Sequence, residues 1–561
     1  MPARTIPSKD FFLLGEDFSV TKPVDVDTSL VLNELKKRVA AQFTIVDHNG
    51  IDFFSVDEDN LPDVSDVIAH DGPVGITVDG HKVRQIPGPK GLPIVGDYYG
   101  IFPDHLGNHQ RLFDQYGSLI RTECMGKVVY QTNDPNLATI VMRESEYFTK
   151  EITEDHPLAG LKMQEAGVFL GDTEGPAWRI VHKFLPPALG PKAVRHYAPT
   201  MQKSIEYALP VFDEMDRRGE AFNVYQYMLK LGSQAVGKLV LGMDFKQFET
   251  PESPLHELVL RLAEVLALNK KVCSRGRWYA SLPFGDPAKL RYSFDRIHTM
   301  IGESVKIAQQ GGVKDLELQD AALEASNMVD YCIRATDSKG EKLPKENMTP
   351  ALLVATGAGF TTTSSLLSWL VYCMVVYPGV QDRLLQELVD NNFSEDMEIT
   401  PEFTAKLAFQ DKVIKECQRR HNPSYQPGRT AKKDMILPGG YKLNKGGVVV
   451  AAIHHISNNP ALWDNPTRFD PDRWDTDEVK NMPKAQYQPF GMGQRMCIGF
   501  NFALQEIKIF LPKLVWRYKF VKETDAVVEY DPMFQLIRPN NLYVRAHRRV
   551  KWPPKSETAS A

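Results

Sequence analysis

Residues 490–499 read Phe-Gly-Met-Gly-Gln-Arg-Met-Cys-Ile-Gly, and Cys497 is the residue in that string best suited to chemistry. A thiolate is a nucleophile and a soft metal ligand. The surrounding glycines demand a tight backbone path beside something bulky. An amphipathic pattern from Ile498 to Leu511 predicts a helix starting just after the cysteine. A helix N-terminus favours a thiol's anion. A thiolate on a rigid Gly-rich loop is what the axial position of a haem iron requires. Arg495, two residues earlier, is placed to pair with a carboxylate such as a haem propionate. For a lone cysteine, a buried thiol in a Gly-rich turn is the plainer reading. The other five cysteines (124, 273, 332, 373 and 417) lie far apart, with no zinc-type pair.

Three further groupings have spacings that place side chains together. Glu416 and Arg419, three apart, share a helix face, as do Trp178 and His182, four apart. A long apolar helix is expected from Thr349 as N-cap and Pro350 as first residue to about Tyr377, where Pro378-Gly379 stops it. That is roughly 28 residues, or about 42 Å. Its middle, Ala358-Gly359-Phe360-Thr361-Thr362-Thr363-Ser364, holds glycines and hydroxyls that weaken a helix, so a local opening is expected there.

The 490–499 string resembles the haem-binding signature of the cytochrome P450 family, Phe-x-x-Gly-x-Arg-x-Cys-x-Gly, at every fixed position, from Phe490 onward. The resemblance implies a mainly α fold with small β-sheets, a b-type haem whose iron is bound by Cys497, and a haem pocket touched by Phe490 and Arg495. It implies that Trp178, His182 (where the family commonly has Arg) and Arg429 meet the propionates. It further implies that Glu416, Arg419 and Arg473 form a structural ion-pair network beneath the cysteine loop. On the distal helix Thr362 matches the threonine that steers protons to dioxygen, and Thr361 stands where an acid is usual. The stretches 489–507, 178–186, 337–347 and 439–463 look closest to the self-sufficient fatty-acid hydroxylase branch. By that likeness Phe169 and Ala358 line the substrate pocket, and Lys127 anchors a substrate carboxylate. The branch fuses a flavin reductase after its haem domain, whereas this chain ends soon after it. A separate NADPH-dependent flavin reductase is therefore the expected electron donor, with dioxygen and a hydrophobic substrate (fatty acid, lipid, terpenoid or polyketide). The missing acid leaves open a haem-thiolate isomerase, dehydratase or peroxide-driven enzyme; the acidic N-terminal region leaves open a non-catalytic haem-binding protein.

These residues need a large scaffold, and the chain supplies 561 residues, 43% of them hydrophobic and 24% charged, as in globular proteins. The net charge of −5 gives no reason to expect nucleic acid binding. Residues 1–80 hold 15 Asp and Glu against 6 Lys and Arg, so an acidic head precedes a mildly basic body. In residues 1–86 a helix over Leu30–Phe43, with Leu32, Leu35 and Val39 on one face, lies between strand-like pieces, and Asp79-Gly80 suits a hairpin turn. Either a small α+β module, resembling a ubiquitin-like β-grasp unit, or a loosely packed acidic tail is consistent with this. The Pro87–Pro93 run is a stiff connector and the main boundary. The expected haem domain spans 87–550 and a polar tail 551–561. No stretch approaches the roughly 18 uninterrupted apolar residues of a membrane span, and the N-terminus lacks a signal-peptide core. The expectation is a cytoplasmic protein, or one with at most peripheral contact with the endoplasmic reticulum.

Overall fold

The computed structural model describes residues 8–162, 168–311, 314–424 and 427–556. The last five residues of the expected polar tail lie outside them. The first unit opens with β1 (Ser8–Leu13), which buries the successive residues Phe11 and Phe12 on its two faces, followed by β2 (Lys22–Asp25), α1 (Leu32–Phe43), β3 (Ile51–Phe54) and β4 (Val74–Val78). The strands form one sheet in the order β2-β1-β4-β3, with β1 and β4 parallel and the outer pairings antiparallel. α1 starts at Leu32 rather than at Leu30, with Val31 as an extended N-cap. It turns Leu35, Val39 and Phe43 onto the sheet. After β4, Asp79 and Gly80 both take positive φ, and the Val78 amide bonds the His81 carbonyl across the turn (3.0 Å).

This unit is joined to the rest of the chain by backbone bonds. β5 (Arg84–Gln85) runs parallel to a strand of the main body (441–443), and the Ile436 amide donates to the Thr44 carbonyl at 3.0 Å. Ile436 itself packs in the core of the first unit, and the Arg84 guanidinium lies 4.3 Å over the Tyr441 ring.

The main body is largely helical. Its largest sheet runs β6 (Leu119–Cys124), β7 (Lys127–Thr132), then β8 (Phe148–Thr149) at the far edge. Between them lie β12 (Val448–Ala451), next to β7, and β9 (Gly428–Ala431), next to β8. Between those two strands in the chain, β10 (Met435–Leu437) and β11 (Tyr441–Leu443) form the hairpin that meets β5. The helices that position the site are α2 (Pro176–Leu189), α3 (Val224–Val236), α4 (Glu257–Cys273), α5 (Lys345–Val376), α6 (Ala408–Arg420) and α7 (Phe500–Arg517).

α5 is the central member. It begins at Lys345 with Pro344 as N-cap and runs for 32 residues, so Pro350 lies inside its second turn and Thr349 is not the cap. Pro350 is the sixth helical residue, so its missing amide leaves the Glu346 carbonyl without its intrahelical bond. α5 is long and apolar enough to cross a membrane by length and composition, but most of its apolar window is buried against the other helices. It is apolar around most of its circumference because it is enclosed by protein.

Candidate functional site

α5 does not open at its glycines. It stays helical through 357–364, and three successive hydroxyls bond back onto its own carbonyls: Thr361 to Gly357 (2.6 Å), Thr362 to Ala358 (2.9 Å) and Thr363 to Gly359 (3.0 Å). The back-bonds satisfy the hydroxyl protons without breaking the ladder, so the expected opening is absent. Thr361, Thr362 and Ala358 line a cavity of about 350 Å³.

The cysteine loop forms the facing wall. Phe490 and Cys497 close a turn through the Cys497 amide and the Phe490 carbonyl (2.9 Å). Gly491 and Gly493 hold φ of 73° and 69°, which a side chain would strain. Asn422 donates to the Pro489 carbonyl at 3.1 Å, fixing the loop's entry. α7 starts at Phe500, not Ile498, so Cys497 stands three residues ahead of it. Cys497 lines the cavity. Burial pushes its thiol pKa up, only partly offset by the Gly499 amide.

A third wall is cationic. Arg495 reaches from the loop to the Thr173 hydroxyl (3.1 Å) and the Gly171 and Phe169 carbonyls (3.1 and 3.2 Å), with its guanidinium 5.3 Å from the Trp178 ring. Trp178 stacks on His182 with centroids 4.5 Å apart. Arg429 on β9 is buried and faces Glu144 at 2.9 Å. Lys150, buried, holds its ammonium 4.0 Å above the Phe169 ring. Burial, then mutual repulsion, depresses these cations: Arg495 falls to about 9, and Lys150 lies well below the ordinary lysine value. His156 is held neutral, with its pKa lowered to about 3 by burial and then by Lys150. Among the described residues lining the cavity none is acidic. Trp178 Nε1 is buried with no partner among the described residues. An excess of cations over acids around an indole N–H without a partner suits a ligand with more than one carboxylate. With a cysteine on the same cavity, the donor set fits a haem.

Beneath the loop, Glu416, Arg419 and Arg473 meet as one buried group. Glu416 accepts from Arg419 Nη2 (2.8 Å) and Nε (3.0 Å), from Arg473 Nε (3.0 Å), from the Asp470 amide (3.0 Å) and from Trp474 Nε1 (3.2 Å). Arg419 also donates to the Ser457 and Pro466 carbonyls (2.8 and 2.9 Å), binding α6 to the 457–474 segment.

The structure thus brings Cys497, Arg495, Phe490, Arg429, Trp178, His182, Phe169, Ala358, Thr361 and Thr362 to one cavity. Lys127 is not among its lining residues. It is the first residue of β7, after the Met125-Gly126 turn, and its ammonium donates to the Glu154 carbonyl at 2.8 Å. Sequence reasoning missed Lys150, His156 and Glu144. A Lys after a two-residue strand and a His in a loop have no periodicity to mark them.

Such a cavity, set in this mostly helical architecture, defines a cofactor-dependent oxidoreductase site. The family model for cytochrome P450 matches residues 86–544. The cytochrome P450 monooxygenase alnD of Emericella nidulans is 47% identical over 550 residues, covering 97% of this chain and 99% of that protein. The bifunctional cytochrome P450/NADPH–P450 reductase ascE of Acremonium egyptiacum is 28% identical over 83% of this chain, which spans 43% of that protein. The haem domain of cytochrome P450DA superposes with a TM-score of 0.72 at 23% identity, over 83% of this chain and 98% of that structure. The chain belongs to the cytochrome P450 family. It is a monooxygenase of that family, an oxidoreductase that works with haem iron, dioxygen, a hydrophobic substrate and a redox partner.

Proposed function

We propose that the thiolate of Cys497 holds the iron of a b-type haem in the cavity and that the enzyme inserts one oxygen atom of dioxygen into an apolar substrate. Arg495, Arg429, Lys150, His182 and Trp178 would meet the propionates. The observation that carries this reading is that Cys497, three distal threonines and a wall with more cations than acids share one mainly apolar cavity. The haem supplies dioxygen activation; the chain supplies its placement, exclusion of water and proton access. The Thr362 hydroxyl, given to the Ala358 carbonyl here, is free to accept a proton and can turn to donate one. Burial of Glu416 with both arginines keeps the proximal side rigid beneath Cys497.

Electrons would come from a separate NADPH-dependent flavin reductase, a reading supported by the alnD protein, which is matched over almost its whole length. The cytosol or the cytosolic face of the endoplasmic reticulum, with peripheral contact, is the proposed location. The deciding experiment is the absorption of the reduced protein under carbon monoxide. The long-wavelength band of sulfur-bound haem is expected, and Cys497→Ala is expected to lose it; a band that survives the substitution overturns the assignment.

A second reading follows from Thr361, which puts a hydroxyl where the family usually has an acid. Proton delivery would then be weak, favouring a peroxide-driven or isomerising enzyme. Turnover with hydrogen peroxide and no reductase supports it; strict dependence on NADPH and reductase removes it.

A further inference from the structure

One part of the cavity is built differently from the cationic wall. Leu158 and Leu161, Leu262 and Leu266 of α4, and Leu353 of α5 line it together with Gln535, from the segment between the strands 518–522 and 543–548. The orientation of the Gln535 carboxamide is fixed by a chain of bonds that reads in one direction only. The Pro157 carbonyl can only accept, so Asn269 turns its NH2 toward it (3.3 Å). The same NH2 donates to Gln535 Oε1 at 2.8 Å. Asn269 Oδ1 in turn accepts from the Cys273 thiol at 3.4 Å, and burial raises the Cys273 pKa, keeping that sulfur protonated. Asn269 is fully buried. Gly160 permits this packing, since a Cβ there would lie 2.5 Å from Asn269 Oδ1 and 2.9 Å from Cys273 Sγ. The backbone of Gln535 is held as well, its amide donating to the Leu266 carbonyl at 3.2 Å.

With its oxygen committed to Asn269, Gln535 has an NH2 group with no acceptor among the described residues, on a side chain that lines the cavity. The basic residues lining the cavity (Lys150, His156, His182, Arg429 and Arg495) all belong to the cationic wall or adjoin it; Lys127, whose charge reaches Cys273, is not a lining residue and donates to the Glu154 carbonyl. We propose that Gln535 is a specificity-determining residue whose amide donates a hydrogen bond to a neutral oxygen of the substrate. The substrate class is then an apolar molecule with a ketone, ester, lactone or ether oxygen, rather than a fatty-acid carboxylate. A buried donor left unpaired by a purely hydrocarbon ligand disfavours that ligand. This rests on the haem-monooxygenase reading, because the cavity is the same one.

The test uses the full-length haem-loaded protein, titrated with 2-undecanone, undecane and undecanoate while the haem spin-state shift is followed. 2-Undecanone is expected to bind about tenfold more tightly than undecane, the worth of one neutral hydrogen bond, and undecanoate no better than the ketone. Gln535→Leu is expected to abolish the ketone preference while retaining undecane binding. Gln535→Met, closer in shape, repeats the test should the leucine variant lose haem. Equal binding of ketone and alkane by the unaltered protein, a preference that persists in both variants, or tightest binding of undecanoate overturns the proposal. The carbon monoxide spectrum separates the two readings: a sulfur-bound haem without the ketone preference sinks this inference alone, and absence of that spectrum sinks the reading beneath it.

Discussion

Two buried clusters of charge lie close to the cysteine loop, and they are built on opposite plans. In the Glu416 cluster one carboxylate is surrounded by five donated bonds, and the arginine protons left over go to backbone carbonyls. Nothing in it asks for a further group. In the Lys150–Arg429–Arg495 cluster Arg429 and Arg495 depress Lys150, Glu144 pairs directly with Arg429 and only partly offsets the charge of Lys150 and Arg495, and an indole N–H has no acceptor among the described residues. A cluster that completes its own bonding stabilises the fold; one whose charge is left over stabilises a complex. Burial alone does not separate the two, because Lys150 and Arg429 are buried as Glu416, Arg419 and Arg473 are.

That difference can be broken experimentally. The largest effect is expected from Glu416→Gln, which leaves two buried guanidinium groups without a countercharge. A loss of about 3–5 kcal/mol is expected whether or not haem is present, read in denaturant melts of both forms. If the loss appeared only with haem, the cluster would belong to the site after all.

Next in size is an acid limb of stability set by the histidines between α6 and the main sheet. His109, His421, His454 and His455 are all buried with their pKa values pressed down by burial, His455 to about 4. The unfolded chain takes up these protons near pH 6.5, whereas folded His455 does so only near 4. Between those values the unfolded state binds more protons, so stability falls as pH falls from about 6.5 to about 4. His455 alone accounts for about 3 kcal/mol of that loss. Melts at pH 7.5, 6 and 5 should follow that slope, and His455→Asn should flatten it.

The smallest effect, and the sharpest contrast with Glu416, is expected from Lys150→Met. Removing a cation that has no acid of its own should leave the haem-free chain as stable as before or more so, while haem escapes to a competing acceptor protein about tenfold faster. Equal damage to the haem-free chain would make the two clusters alike.

Much of this was readable in the residues. The Cys497 loop, the Glu416–Arg419 spacing and the Trp178–His182 pair are local patterns, and a helix or tight turn brings such neighbours together wherever it sits. The errors were also local in cause. Thr349-Pro350 has the form of a helix start, yet α5 begins at Lys345, because packing of its apolar surface outweighs one lost bond. The glycines at 357 and 359 suggested an opening, but enclosure by neighbouring helices and the threonine back-bonds keep the helix whole. Lys127, expected near the substrate by likeness, donates to the Glu154 carbonyl, a contact that its position in the sequence did not announce.

The sequence by itself determined the family, the cysteine and the arginine beside it, because those depend on short stretches of chain whose geometry is nearly independent of context. Only the tertiary structure decided that Lys150 and His156 join the cationic wall, that Glu416 is complete within the protein, and that Asn269 turns Gln535 so that its NH2 is left without an acceptor. Whether a charge or a donor is satisfied depends on groups hundreds of residues away, and that is a property of the packed molecule rather than of any segment.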